Sequence, residues 1–458
     1  MDKSSHGSKD EVTLSYMPFL SLALIVGFFS GLAAVCLKYL IALLHNLFFF
    51  GNFSFIYHEI MLTEPSPFGP WIIFMPVIGA FFVTWLVENV SRESKGHGVP
   101  QVMYAIHYNK GIIRPIVAFV KAIGASITIG SGGSAGREGP IIQITGAIGS
   151  TVGQIFRLSA RQKCMLVAAG AAAGLAVTFN APIGGLLFAI ELLLVSINAI
   201  SIAAVATSTV TACLVGYFFF GTESIFTVSR IVESASFLAL LKTAIAFIPF
   251  GIFIGISSYL FIELLYVFER FHHKTFKNPY ARHMIGMFFA GVIFYLMLVF
   301  FGHYYVEGLG YALIQTALKG GISSASLFFI LFAAKMFTTS LTLGSGGSGG
   351  VFLPSLVMGA CLGGGYGYVF NALFPGHHIP EVLFIVAGMG GMISGTAGAV
   401  MTAIVMMPEI TQDFYHTIPN MITAVIAYGV RSLFIEQSIY TVMLHRDGYF
   451  LPHGLHRR

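Results

Sequence analysis

Charged residues are scarce in this sequence: Asp, Glu, Lys and Arg together make up 9% of its 458 residues. Hydrophobic residues make up 56%, and the mean hydropathy is +0.83. A typical soluble domain has about a quarter of its residues charged. The composition therefore excludes an ordinary soluble protein. It predicts a multi-pass protein of the cell inner membrane or plasma membrane, with the lipid bilayer as its surroundings.

Cysteine, tryptophan and blocks of like charge are also rare. The four cysteines lie singly in apolar runs, so they match neither a disulfide framework nor the spacing of a metal site. We therefore expect no metal and no other cofactor. The net charge of +5 is small, and Lys and Arg form no dense block before the chain ends, which argues against a nucleic-acid partner.

Glycine, in contrast, is abundant, with 52 residues, and it clusters in two similar segments between apolar runs. Residues 130–140 read GSGGSAGREGP and residues 344–354 read GSGGSGGVFLP, an offset of 214 positions (344 − 130). Other segments recur at offsets of 218 and 212 positions: 170–191 with 388–409, and 96–98 with 308–310. These recurrences predict two related halves. Glycine-interrupted segments at matching positions of two halves indicate an ion site near the middle of the membrane.

The same pattern predicts how the chain is organised. We expect a polar N-terminal tail over residues 1–16, a first half over 17–236, a second half over 237–444 and a basic C-terminal tail over 445–458. Many apolar runs fall short of the roughly 20 residues that a simple crossing needs, so some helices should be broken or half-spanning. The first run, 17–50, is too long for one upright crossing, which predicts a tilted helix interrupted near His45.

Glu138, within the sequence GREGP, is the most informative ionisable residue. Pro140 opens an apolar run and predicts a helix start, so Glu138 should lie just before a helix N-terminus, where unpaired N–H groups attract anions. A carboxylate there can occupy the site of a mobile anion and leave it when protonated. The structural alternative is a pair with Arg137, but adjacent side chains pair poorly and ionisable residues at membrane depth are usually functional. We expect Glu138 to gate an anion path.

Three short segments resemble, in order and spacing, the anion-selectivity segments of CLC chloride channels and transporters. They are GHGVP at 96–100, GREGP at 136–140 and GVFLP at 350–354, and Tyr440 near the C-terminus is a fourth match. The resemblance extends over nearly the whole chain. It implies a CLC-type inverted-repeat helical bundle that forms a homodimer with one pore per subunit. It also implies chloride as the default ion and protons as the ion that some members couple to it.

The resemblance also implies which residues bind the anion. Glu138 corresponds to the gating glutamate, the backbone N–H groups of Val351 and Phe352 and the hydroxyl of Tyr440 to donors for a central anion, and the glycines beside Arg137 to the frame of an outer site. The implied anion-binding positions are His97, Gly98, Gly136, Arg137, Gly139, Val351, Phe352 and Tyr440. Lys121 and its repeat partner Lys335 are either tied to helix-end carbonyls or add positive potential to the pore.

Three features depart from the family pattern. His97 stands where the family usually has a serine that binds the anion. It is either a packing histidine or an anion ligand, since an imidazole N–H can donate to an anion as a hydroxyl does. Leu192 stands where proton-coupled members carry an internal glutamate, directly after the acid that matches Glu191. The sequence also lacks the paired cystathionine-β-synthase-type domains that many members carry after the last helix.

The sequence therefore predicts anion transport through a CLC-type pore gated by Glu138. Leucine cannot carry a proton, so Leu192 favours a channel-like protein with little or no proton coupling. The alternative is a proton-coupled chloride antiporter with a non-standard internal proton path. A membrane enzyme with Glu138 and His97 as acid and base is a second class of hypothesis. No nucleophile or metal set accompanies these two residues, so we expect no enzymatic activity.

Overall fold

The computed structural model describes residues 11–228 and 237–450. Its regular structure is helical. The seventeen α-helices in this part of the chain are α1 (Tyr16–Phe50), α2 (Met75–Asn89), α3 (Val99–His107), α4 (Pro115–Gly130), α5 (Glu138–Ile155), α6 (Ala160–Phe179), α7 (Pro182–Phe188), α8 (Ala199–Phe220), α9 (Phe237–Thr275), α10 (Pro279–Phe301), α11 (Tyr311–Leu318), α12 (Ala325–Ser345), α13 (Phe352–Leu373), α14 (Glu381–Ala397), α15 (Val400–Thr411), α16 (Thr417–Phe434) and α17 (Thr441–Arg446). The predicted all-α fold class is confirmed.

The predicted tails and the boundary between the halves lie partly outside the described residues. Residues 1–10 of the polar tail and 451–458 of the basic tail are not described. The same holds for 229–236, where the first half was expected to end. Helix α9 begins directly after that gap. The division of the chain into two halves at this point therefore stays a prediction.

Eight helices in the described residues are long and apolar enough to cross a membrane: Tyr16–Phe50, Gly69–Asn89, Ala160–Phe179, Ala199–Phe220, Thr243–Thr275, Pro279–Phe301, Ala325–Ser345 and Phe352–Leu373. The second of these joins a 3₁₀ turn, Gly69–Phe74, to α2. Helices α3 and α11 have only 9 and 8 residues, which is about half of a crossing. The protein is thus a multi-pass membrane protein with both full and half-spanning helices.

Two helix boundaries differ from the sequence-based expectation. Helix α1 runs without interruption through His45, because no proline or glycine breaks the chain there and the imidazole stacks on Phe49, one turn later in the same helix. Helix α5 begins at Glu138 itself, so Pro140 lies within its first turn. Proline is tolerated there because first-turn N–H groups have no partner within the helix. Glu138 is therefore the first helical residue, and does not precede the helix.

Broken helices occur at matching places along the chain. Helix α6 ends where Asn180 adopts a left-handed conformation, and Pro182 opens α7. Helix α14 ends in the same way at Gly398, and α15 follows after one further residue. The helices themselves pack closely, with α5 against α6 and α13 against α14. At the second contact, a side chain on Gly359 or on Gly388 would collide with the carbonyl oxygen of the other.

Two glutamates tie the broken helices together reciprocally. The carboxylate of Glu191 accepts hydrogen bonds from the backbone N–H groups of Met401 and Thr402, at 2.7 and 2.8 Å, at the start of α15. The carboxylate of Glu409, in α15, accepts them from Ile183 and Gly184, at 2.9 and 2.6 Å, at the start of α7. Each acid therefore supplies acceptors to first-turn N–H groups that lack a partner within their own helix.

Candidate functional site

The three segments singled out in the sequence meet in space. Gly136 and Gly350 exchange two backbone hydrogen bonds, at 2.8 and 2.7 Å. Gly98 and Gly139 bring the other two segments together, because a side chain on Gly98 would collide with the carbonyl of Gly139 and one on Gly139 with the carbonyl of His97. Glycine at these positions is what lets the backbones touch. Residues more than 200 positions apart in sequence thus form one compact site.

The helix starts that converge here carry unpaired N–H groups. Helix α5 begins at Glu138 and α13 begins at Phe352, with Val351 directly before it. Both helices have at least 18 residues, so their dipoles place partial positive charge at these ends. All four residues Glu138, Gly139, Val351 and Phe352 are buried. Such an arrangement can hold an anion without a full positive charge.

The side chain of Glu138 lies at this convergence and is fully buried. The hydroxyl of Tyr311 donates a hydrogen bond of 3.2 Å to its Oε1 atom. Its Oε2 atom has no hydrogen-bond partner among the described residues. A buried polar oxygen without a partner is costly, so this oxygen has unused capacity for a proton or a hydrogen-bond donor.

The direct ion-pair partner of Arg137 is Glu59. Its Nη1 atom lies 2.7 Å from Oε1 of Glu59, and both side chains of this pair are nearly buried, at 8% and 10% exposed. The guanidinium group also lies over the ring of Tyr311, 5.1 Å from the ring centre. Because the direct ion-pair partner of Arg137 is Glu59, the structural alternative, an ion pair between Arg137 and Glu138, is not observed.

Glu59 and Tyr311 are the contacts that sequence reasoning missed. Tyr311 directly follows the glycines at 308 and 310, the repeat partners of 96 and 98, so its position in the repeat was a usable signal. Glu59 lies in the irregular connection between α1 and the 3₁₀ turn at Gly69–Phe74, and no motif marks it.

His97 and Gly98 are both buried at the start of α3. The Nδ1 atom of His97 has no hydrogen-bond partner among the described residues, and the side chain is 6% exposed. The backbone N–H of Gly98 donates to Oε1 of Gln101 at 2.9 Å. That N–H is therefore already used, whereas the His97 ring keeps capacity for a further hydrogen bond.

Lys121 and Lys335 make the same kind of contact. Lys121 donates to the carbonyl oxygens of Ser94 and Gly96. Lys335 donates to those of Val306 and Gly308, at 3.1 Å each. Both ammonium groups are fully buried. Attachment to carbonyls just before a helix is therefore observed for both lysines, and a contribution of their charge to the potential of the pore stays a prediction.

Tyr440 is 1% exposed and lies directly before α17, which packs against α3. The neighbouring residue Ile439 fixes this turn, because its N–H donates to the carbonyl of Thr396 at 2.9 Å and its own carbonyl accepts from the hydroxyl of Tyr266 at 2.6 Å. The turn thus places Tyr440, the fourth match to the family, near α3, and His97 lies just before that helix.

Two cavities adjoin the site. One, of about 290 Å³, is lined by Lys38, Glu59, Arg137, Tyr311 and other residues, so it reaches the ion pair beside Glu138. The other, of about 590 Å³, lies along α3 and α17. Its lining includes Glu93, Gln101, Gln143 and Asp447. Arg137 in the first lining and Pro100 in the second belong to two of the three segments.

Leu192 lies in a π-helical turn, Ala189–Leu193, and is 7% exposed. The adjacent acid, Glu191, is held by the start of α15 and also accepts from the hydroxyl of Thr402 at 2.6 Å. At the position where the resemblance places an internal glutamate in proton-coupled members, this chain therefore has a buried apolar side chain. The acid beside it, Glu191, already accepts three hydrogen bonds.

The sequence is similar to a known protein family and to named bacterial proteins. A family profile described as "Voltage gated chloride channel" matches residues 79–432. The chain is 31% identical over 449 residues to a Vibrio cholerae protein named "H(+)/Cl(-) exchange transporter ClcA", covering 96% of this chain and 91% of the relative. It is 33% identical over 374 residues to a Vibrio parahaemolyticus protein of the same name, covering 80% and 78%.

A solved structure with the same fold is described as a slow cyanobacterial Cl-/H+ antiporter. Its TM-score is 0.81 at 24% identity, and the match covers 95% of this chain and 99% of that one. A CLC-type fluoride/proton antiporter matches with a TM-score of 0.73 at 22% identity, covering 93% and 98%. At these identities the likeness is one of fold.

Proposed function

The chain belongs to the voltage-gated chloride channel (CLC) family of anion-transport proteins, and from this premise we propose that it exchanges chloride for protons across the membrane. The names of the relatives support this proposal, since proteins 31% and 33% identical to the chain are named H(+)/Cl(-) exchange transporters. They favour the proton-coupled alternative over the channel-like protein that Leu192 suggested.

The proposal rests above all on the surroundings of Glu138. Its carboxyl group is fully buried where α5 and α13 begin, and its neighbouring arginine is paired with Glu59. An anion and an ionised carboxylate cannot share this place cheaply, because two like charges near 4 Å repel by about 4 kcal/mol at an effective dielectric constant of ~20. Either the anion or the ionised side chain occupies the helix ends.

Proton exchange follows from this competition. When Glu138 binds a proton, it loses its charge and an anion can take its place. When the anion leaves, the ionised side chain can return to the helix ends. The same residue thereby alternates between proton binding and anion displacement, and the two ions move in opposite directions. In this scheme His97, Val351, Phe352 and Tyr440 line the anion path, as the family resemblance implies.

The internal side needs a proton route that does not use an acid at position 192. We propose that water in the cavity along α3 and α17 carries the proton. Gln143 lines this cavity and lies five positions after Glu138, on the same helix. Glu93 and Asp447 line it as well, and both are exposed to the solvent. A water route of this kind would make Leu192 compatible with exchange.

Channel-like conduction is the second candidate, and the burial of Leu192 together with the capping position of Glu191 favours it. Chloride and proton movements recorded in parallel from vesicles that contain the purified protein separate the two candidates. Exchange predicts proton movement at a fixed ratio to chloride, and its loss in Glu138→Gln. Chloride flux alone supports a channel. The homodimer implied by the resemblance stays a prediction, which the mass of the detergent-solubilised protein tests.

A further inference from the structure

A buried acid and a buried histidine face each other outside the site described above. Glu307 lies in the connection between α10 and α11 and His45 lies in α1, and their side chains are 8% and 2% exposed. The Nε2 atom of His45 is 3.9 Å from Oε1 of Glu307. Neither ring nitrogen of His45, nor Oε2 of Glu307, has a hydrogen-bond partner among the described residues. Since buried polar atoms are normally satisfied, this pair has unused capacity for a proton.

The surroundings hold both groups in place. The imidazole stacks on Phe49, with ring centres 4.5 Å apart and an interplanar angle of 10°, and the ring of Tyr57 lies 4.1 Å away. The hydroxyl of Thr63 donates to Oε1 of Glu307 at 2.6 Å. The acid and the imidazole therefore meet in a fixed, largely aromatic pocket, where a charge is poorly solvated and a change of protonation has a large electrostatic effect.

Lys335 is the cation next to this pair. Its ammonium group donates to the carbonyl oxygens of Val306 and Gly308, the two residues that flank Glu307. Among the described residues, the other titratable groups that face Glu307 are Tyr57 and Tyr304. An ionised Glu307 therefore compensates the charge of Lys335, and a protonated Glu307 leaves that charge uncompensated.

The first half shows that the lysine attachment does not require an acid. Lys121 holds two carbonyls in the same way, yet the position that corresponds to Glu307, 212 positions earlier (307 − 212), is Lys95. Glu307 is thus an addition to the second half and not a necessary part of the attachment. Burial raises the pKa of Glu307 above its ordinary value, while Thr63 and Lys335 oppose that shift.

We propose that Glu307 and His45 form a second proton-binding site, whose protonation increases the positive potential at the anion site. The link is short, because the segment that carries Glu307 also carries Tyr311, four residues later, whose hydroxyl contacts Glu138. Lys335 lies beside the same segment. Uptake of a proton by the pair adds one positive charge near Lys335, so chloride binds more tightly at low pH. The inference rests on the proposed anion site but not on proton exchange.

Chloride binding, measured by titration calorimetry on purified protein between pH 5 and 8, tests this site. The measurements use Glu138→Gln, in which the gating residue no longer titrates. We expect chloride affinity in this variant to rise at least about fivefold towards acid pH, as couplings between sites commonly do. Adding Glu307→Gln should hold the affinity at its acid value at every pH. The control adds Glu64→Gln instead. Glu64 is exposed and lies in a nearby loop, so its replacement removes the same charge and should leave the pH dependence intact.

An unchanged pH dependence in Glu138→Gln/Glu307→Gln would overturn the second site, as would a Glu138→Gln variant with no pH dependence. If Glu307→Gln gives no folded protein, His45→Phe serves instead, because it keeps the aromatic stacking and removes the imidazole. It should shift the midpoint of the pH dependence, and an unshifted midpoint contradicts the pairing. Absence of proton movement in the wild type would refute exchange but leave this site standing.

Discussion

The hydroxyl of Tyr311 donates a hydrogen bond of 3.2 Å to Oε1 of Glu138, while the guanidinium of Arg137 covers the Tyr311 ring. Tyr311 thus stands between the cation and the acid of the GREGP segment. The ion pair of Arg137 goes to Glu59, and the hydrogen bond of Glu138 goes to Tyr311. This division leaves the charge of Glu138 available to compete with an anion.

Replacement Tyr311→Phe should make Glu138 easier to protonate. The hydroxyl stabilises the ionised carboxylate, and hydrogen bonds to charged groups contribute about 1.5–3 kcal/mol. Its loss should move the pH of half-maximal chloride flux upward by about one to two units, because one pH unit corresponds to about 1.4 kcal/mol. Chloride efflux from vesicles as a function of pH measures this shift. An unchanged pH profile would show that the hydroxyl does not control the gate.

Replacement Glu59→Gln should destabilise the protein. It leaves Arg137 buried without its counter-ion, and breaking a buried ion pair costs about 3–5 kcal/mol. The free guanidinium should then attract Glu138 and reduce flux at neutral pH. Thermal unfolding in detergent, with the exposed Glu64→Gln as a control of equal charge change, tests the first effect. Equal midpoints for the two variants would contradict it.

Replacement His97→Ser should preserve transport and change its selectivity. The Nδ1 atom of His97 has no partner and the N–H of Gly98 is occupied, so the imidazole can donate to an anion at the start of α3. A serine hydroxyl can donate in its place but has a different size and reach. Flux ratios among chloride, bromide and nitrate, measured for both proteins, should differ. Identical ratios would return His97 to the role of a packing residue.

Replacement of Glu191 or of Glu409 by alanine should lower the free energy of unfolding by similar amounts. Each of these two acids accepts hydrogen bonds from two backbone N–H groups. Glu191 accepts them at the start of α15, and Glu409 accepts them at the start of α7. Loss of such a cap costs about 0.5–2 kcal/mol. Thermal unfolding of Glu191→Ala and Glu409→Ala measures this. A wild-type melting temperature in either variant would mean that its hydrogen bonds do not stabilise the fold.

The repeated glycine segments made much of the site predictable. Glycines at 98, 136, 139 and 350 are needed where the backbones touch, and the recurrence of the segments that contain them marked the regions that meet. Other contacts left no such mark. Glu59 reaches Arg137 from an irregular loop, and His45 meets Glu307 across 262 positions (307 − 45), although neither residue lies within one of the recurring glycine segments. Side-chain pairs of this kind depend on how helices pack, and residue patterns do not encode that directly.

The central claim is that chloride moving one way drives protons the other way through Glu138. The most direct measurement uses purified protein in vesicles with a chloride gradient and equal pH on both sides. Outward chloride movement should drive protons inward until a pH gradient forms, and a proton carrier should abolish that gradient. Glu138→Gln should move chloride without forming a pH gradient. Chloride efflux from wild-type vesicles with no proton uptake would contradict the account and identify the protein as an uncoupled anion conductor.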